Sequence, residues 1–115
     1  MTNYDNNTVS VLKNNGDGTF AAKVDYGTAF SPASVFASDL DGDGDLEIVV
    51  GTYKGYVYAW HADGTLVNGW PQDTGEYMIQ SWVFSSPAIA DLDGDGTLEI
   101  VVGSFGTNRV YAWHA

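Results

Sequence analysis

The sequence contains no cysteine, which excludes a disulfide framework, a thiolate nucleophile and a zinc–thiolate site. Cations are almost as scarce. Four Lys and Arg stand against 15 Asp and Glu, giving a formal net charge of −11. Nucleic acid must have its phosphates neutralised by Lys and Arg, so this balance argues against such a partner and against anionic membranes. Apolar runs stop at about five residues, far short of a helical membrane span. The opening "MTNYDNNTVS" has neither a basic start nor an apolar middle, so no signal peptide is expected in this sequence. Helix-favouring Lys and Glu are few, whereas there are 14 glycines, so a long helix is not expected either.

What is present suits a small β protein. The 115 residues amount to at most one ordinary domain, and 44% hydrophobic residues with 14% aromatics supply a core. "NTVSVLKN" and "GYVYAWHA" alternate in the manner of half-buried strands, and "LEIVVG" is a β-branched run of the kind buried on both faces. Tight-turn sequences separate them: "NNGDGT" (14–19), "YKGY" (53–56), "ADGT" (62–65) and "GTN" (106–108).

Repetition organises these pieces. "DLDGDGDLEIVVG" (39–51) returns as "DLDGDGTLEIVVG" (91–103), and "VYAWHA" (57–62) returns at 110–115. A repeat of about 50 residues holding four short strands is the size of one β-propeller blade. With strands lettered A to D, the complete blade has A at 33–39, B at 46–52, C at 56–61 and D at 65–73. The following copy supplies A at 86–91, B at 98–104 and C at 109–114, and the start of the chain supplies C at 8–13 and D at 19–26. The expected content is therefore nine strands: a partial blade (1–30), a complete blade (31–82) and a second partial blade (83–115).

Nine of the 15 acids lie in the two repeated stretches. Asp39, Asp41 and Asp43 occupy positions 1, 3 and 5 of the first loop, followed by Gly44, Asp45 and Glu47 at positions 6, 7 and 9. The second loop has Asp91, Asp93, Asp95, Gly96, Thr97 and Glu99 in those places. Alternate carboxylates on a tight loop converge, and their mutual repulsion calls for a hard cation between them. Calcium, which takes six to eight oxygens in flexible geometry, is the natural occupant. Asp45 exchanges with Thr97 because position 7 is expected to contribute only its main-chain carbonyl. A helical EF-hand fails here. Its loop closes with Glu at position 12, where this chain has Val50 and Val102, and a strand begins at position 8.

"SPAIADLDGDGTLEIVVG" and "SPASVFASDLDGDGDLEIVVG" resemble the FG-GAP/VCBS repeats of integrin-alpha-type β-propellers, and "NNTVSVLKNNGDGTFAAKVDYGT" is similar to the same class in bacterial secreted proteins. The resemblance covers nearly the whole chain, with "QDTGEYMIQSW" (72–82) its least typical part. It implies two calcium loops, 39–47 and 91–99. The ligands would be Asp39, Asp41, Asp43, the Asp45 carbonyl and Glu47, then Asp91, Asp93, Asp95, the Thr97 carbonyl and Glu99. It also implies an extracellular or cell-surface parent protein. Family propellers are usually single chains of seven blades, and this chain carries about two blades' worth of strands.

Closure of a propeller needs about four to eight blades. Three or four copies forming a symmetric ring would meet that need, and so would a longer propeller of which this is a piece. His61 and His114 are repeat equivalents at strand ends, and their repetition speaks against catalysis. Trp60 and Trp113 recur at one strand position, as blade-to-blade packing would require. Trp70, Tyr77, Trp82 and Phe84 are candidates for a sugar-stacking pocket. The expected protein is thus all-β, built of four-stranded antiparallel blades, calcium-binding and non-enzymatic. It would be a structural or recognition scaffold for a protein or glycan ligand, closing by homo-oligomerisation, with a lectin-like propeller as the alternative.

Overall fold

A strand covered on both faces needs apolar side chains at successive positions, and "IVV" in each repeat provides them. The computed structural model describes residues 1–74 and 82–115 and contains no helix among them. Ten strands among the described residues form three antiparallel sheets. The N-terminal sheet comprises β1 (Thr2–Asn3), β2 (Thr8–Val11) and β3 (Val24–Gly27), adjacent in that order. The central sheet comprises β4 (Pro32–Ser38), β5 (Glu47–Thr52), β6 (Tyr56–Trp60) and β7 (Gln72–Asp73). The C-terminal sheet comprises β8 (Ala88–Ala90), β9 (Glu99–Ser104) and β10 (Arg109–His114). All three are simple meanders, as the blades of a propeller are.

Strands B and C fall where the sequence placed them in both copies, as does the first strand A, and three features differ. An additional strand, Thr2–Asn3, pairs with β2 through Thr2 opposite Val9 and Asn3 opposite Thr8. Two residues are too few for periodicity to show, and this stub occupies the place of strand B in the first sheet. The expected D strands are also broken. Leu66 makes a single bridge to Trp60, and pairing resumes only at Gln72 and Asp73. Between them Gly69 has φ 89°, and the chain leaves the ladder in a turn that buries Trp70. Phe20 likewise bridges Asn14 before β3 begins at Val24. In the C-terminal sheet the first strand is only three residues long, directly after Pro87, which has no N–H for a ladder.

The period of two sorts side chains between two interfaces. Val49 of β5, with Val57 and Ala59 of β6, faces the C-terminal sheet, where Ile100, Val102, Val83 and Trp70 complete a buried cluster. Tyr111 and Trp113 pack against that cluster. Val50, Tyr58 and Trp60 face the other way, meeting Val9 and Tyr26 of the N-terminal sheet. The repeated tryptophans thus pack between sheets. Trp60 stacks on Tyr58 (ring centroids 5.2 Å apart) and Trp113 on Tyr111 (5.6 Å).

Gly51 and Gly103 end the same "IVVG" run but differ in their surroundings. A Cβ on Gly51 would lie 2.7 Å from Val83 Cγ1 and 3.2 Å from the Val83 carbonyl oxygen, whereas one on Gly103 meets only Ser85 Oγ at 3.7 Å. Gly51→Ala is therefore expected to destabilise the protein by about 1–3 kcal/mol and Gly103→Ala by well under about 1 kcal/mol. Paired urea melts measure both.

Candidate metal centre

Each acidic loop links the first two strands of its four- or three-stranded sheet, and two glycines shape it. Gly42 and Gly44 have φ of 80° and 95°, and Gly94 and Gly96 have 77° and 92°, values that L side chains rarely adopt. The turn is wound around its own carboxylates. Asp39 accepts from the Gly42 N–H (2.7 Å) and the Gly44 N–H (3.2 Å), Asp41 from Asp43 N–H (3.1 Å), and Asp43 from Asp45 N–H (2.8 Å). The second loop makes the same four bonds, at 2.7, 3.0, 3.2 and 2.8 Å. One carboxylate oxygen each from Asp39, Asp41 and Asp43 lies within 4.8 Å of the others, and so it is for Asp91, Asp93 and Asp95.

The ninth residue is the best-buried acid of each loop. Glu47 is 1% exposed and Glu99 5%. Their Oε2 atoms accept from the main-chain N–H of Leu40 (2.8 Å) and Leu92 (2.7 Å), which ties the head of β5 or β9 to the second residue of its loop. Burying a carboxylate costs several kcal/mol unless opposite charge or hydrogen bonds offset it. Among the described residues the side-chain nitrogen paired with each is a histidine: His61 Nδ1 lies 3.4 Å from Glu47 Oε1 and His114 Nδ1 2.7 Å from Glu99 Oε1. Glu99 Oε1 nevertheless has no hydrogen bond, because the close His114 contact lacks hydrogen-bond geometry. Asp41, Glu47 and His61 bring ligand atoms within 4.8 Å of one another, as do Asp93, Glu99 and His114.

The structure thus gathers the three aspartates of each loop and brings the ninth-position glutamate against the middle one. Asp45 contributes its N–H to Asp43, and its carboxylate stands outside both three-residue groups. Thr97 does more than its main chain: its Oγ1 donates to Asp95 Oδ1 (2.6 Å) and lies 3.5 Å from His114 Nδ1. The exchange of Asp45 for Thr97 is therefore not silent. Sequence reasoning also set the histidines apart from the acids. The link shows once the strands are in register, where His114 pairs directly opposite Glu99 in β9–β10. Trp70 is no part of an open aromatic pocket: it is 7% exposed and packs edge-on against Trp113 at 5.9 Å. Tyr77 lies outside the described residues.

A smaller unit recurs within and beyond the loops. In the Asp-Gly-Thr turns at 17–19, 63–65 and 95–97 the threonine hydroxyl and N–H both donate to the aspartate, at 2.5 and 2.9, 2.7 and 2.9, and 2.6 and 2.8 Å. The hydroxyl first and the N–H second hold Asp17, Asp63 and Asp95 below the ordinary carboxylate range. A depressed pKa contributes stability that is present above the unfolded value of about 3.9 and lost as pH falls through the lower folded value. Thr65→Val is expected to move the Asp63 titration, followed by its carboxyl carbon shift, upward toward about 3.9. An unmoved midpoint would show that the hydroxyl does not hold the charge.

The FG-GAP-like repeat model matches residues 1–50 and 39–102, and the two matches overlap on the first acidic loop and the start of β5. No solved structure matches the chain. With most of its length accounted for by these two matches, the chain belongs to the FG-GAP-like repeat family.

Proposed function

We propose that this chain is a calcium-braced, non-enzymatic β-propeller repeat unit that serves as a structural and recognition scaffold in an extracellular or cell-surface protein. The observation that carries this reading is the buried glutamate closing each acidic loop, repeated with the same partners in both copies. A brace is expected to repeat with the fold, whereas a catalytic centre is expected once. Asp39, Asp41, Asp43, the main chain of Asp45 and Glu47 would hold one ion. Asp91, Asp93, Asp95, the main chain of Thr97 and Glu99 would hold the other. The ion would neutralise converging charge and fix the crossing between the first two strands. At the affinities of extracellular modules, roughly millimolar calcium contributes about 0.5–1.5 kcal/mol per site.

The outer face of the C-terminal sheet supports assembly. Val110 is 74% exposed and Ala112 is exposed beside it. Their repeat equivalents in the central sheet, Val57 and Ala59, are fully buried by the C-terminal sheet. An open face built like a covered one fits a further blade supplied by another copy. With three sheets per chain rather than the expected two blades' worth, two copies would make a ring of six, whereas three or four copies would exceed the four to eight blades of a closed propeller. In such a ring it would meet the outer side of the N-terminal sheet. There Ser10 is hydrogen-bonded to Asp25 and Asn3, and Leu12 stands in the place of Trp60. That junction is more polar than the two within the chain, so it should be the weakest in the ring.

A second reading, carbohydrate binding, is favoured by one feature. Trp82 stacks on Phe105 (6.0 Å) with Phe84 edge-on to both, and with Ser85 and Ser104 they line an open cleft of about 310 Å³. Such aromatic platforms suit sugar faces.

Light scattering and thermal melting in millimolar calcium and in chelator test the proposal together. The expected result is a discrete closed oligomer in calcium, a dimer if each of the three sheets counts as a blade, that dissociates on chelation, with Tm falling by roughly 5–15 °C. Val110→Asp should leave the melt of the chain intact and abolish the oligomer. A monomer with a melt indifferent to chelator would overturn both the ring and the brace.

A further inference from the structure

We propose that each acidic loop carries a second cation position, beside its oxygen cluster, that takes a divalent transition metal through imidazole and carboxylate. The donors are Asp41, Glu47 and His61 in the central sheet, and Asp93, Glu99 and His114 in the C-terminal sheet. The position shares the middle aspartate and the ninth-position glutamate with the proposed calcium site, so these carboxylates would bridge the two ions, and the histidine is the donor that it adds. Calcium is served by hard oxygens alone. A nitrogen donor converging on the same carboxylates changes the preference, because imidazole suits zinc, nickel, copper and cobalt.

Three observations carry the proposal. First, the set occurs twice, with the histidine supplied in each case from the end of the third strand in the A-to-D order. Second, His114 Nδ1 and Glu99 Oε1 lie 2.7 Å apart, yet this buried oxygen has no hydrogen bond. A simple ion pair would aim the ring N–H at the carboxylate. Two donors turned toward a shared third point instead sit close together without bonding each other, and around an ion with bonds of about 2.0–2.2 Å they are roughly 3 Å apart. This geometry belongs to the C-terminal copy, since His61 Nδ1 and Glu47 Oε1 share a long hydrogen bond of 3.4 Å. Third, a cleft of about 210 Å³ opens on the His61 side of the first loop, lined by Glu47, His61, Asp43, Asp45, Asp63 and Thr65. That space would admit an ion with its remaining waters, and Asp63 on its wall adds negative charge.

The test is a Co2+ titration of the untagged full chain in excess calcium, followed by visible d–d absorption, with calcium uptake measured in parallel by calorimetry. The expected result is two Co2+ per chain, one lost in His61→Gln, one in His114→Gln and both in the double variant. Undiminished calcium uptake in the double variant would show that its loops remain folded. Absence of the absorption, or its survival in the double variant, would overturn the proposal. Histidine-dependent Co2+ uptake without calcium uptake would sink the calcium reading and still support this one. Calcium uptake without Co2+ uptake would do the reverse.

Discussion

Two carboxylates, those of Glu47 and Glu99, are buried at the points where the first acidic loop meets β5 and the second meets β9. A buried anion is expensive, and the surrounding chain is arranged to accommodate it. One oxygen is held by a main-chain N–H of the loop, which leaves the other directed at the histidine side. The loop in turn can reach that oxygen only by turning through two left-handed glycines, and its aspartates are then drawn inward by their own amides. The result is an anionic pocket at the head of a strand. On the proposed reading a cation completes it, and fixing it fixes the pairing of the loop's two flanking strands.

From those strand heads the alternation of side chains does the rest. Val49 and Val50 point to opposite faces, as do Val57 and Tyr58, so the central sheet has a covered face on each side. The C-terminal sheet repeats the pattern but turns its second apolar face outward at Val110. At the other end of the chain the outward positions are polar, with Ser10 satisfied by Asn3 and Asp25. The chain is therefore directional, with an apolar end and a polar end. This asymmetry sets how copies or further blades can join.

The all-β class, the order of the strands and the two loops were legible because each rests on short-range chemistry: alternation, tight-turn residues and a ligand pattern stated twice. The break in the central D strand was not, because what interrupts it is the burial of Trp70 between two sheets, a tertiary gain that outweighs straight pairing. The stub Thr2–Asn3 is too short to carry a period. The histidines were seen but left without partners, since joining His114 to Glu99 requires the strand register as well as the motif. Phe105 was missed for a similar reason, as it meets Trp82 only when the segment after the connection folds back along β9.

The most direct measurement is a calorimetric calcium titration of the chelated chain and of its Glu47→Gln and Glu99→Gln variants. The account predicts two calcium ions per chain in the parent and weakened binding at one site in each variant. Heat of dilution alone in the parent, or binding untouched by either substitution, would contradict the claim that these buried carboxylates are there to close a calcium loop.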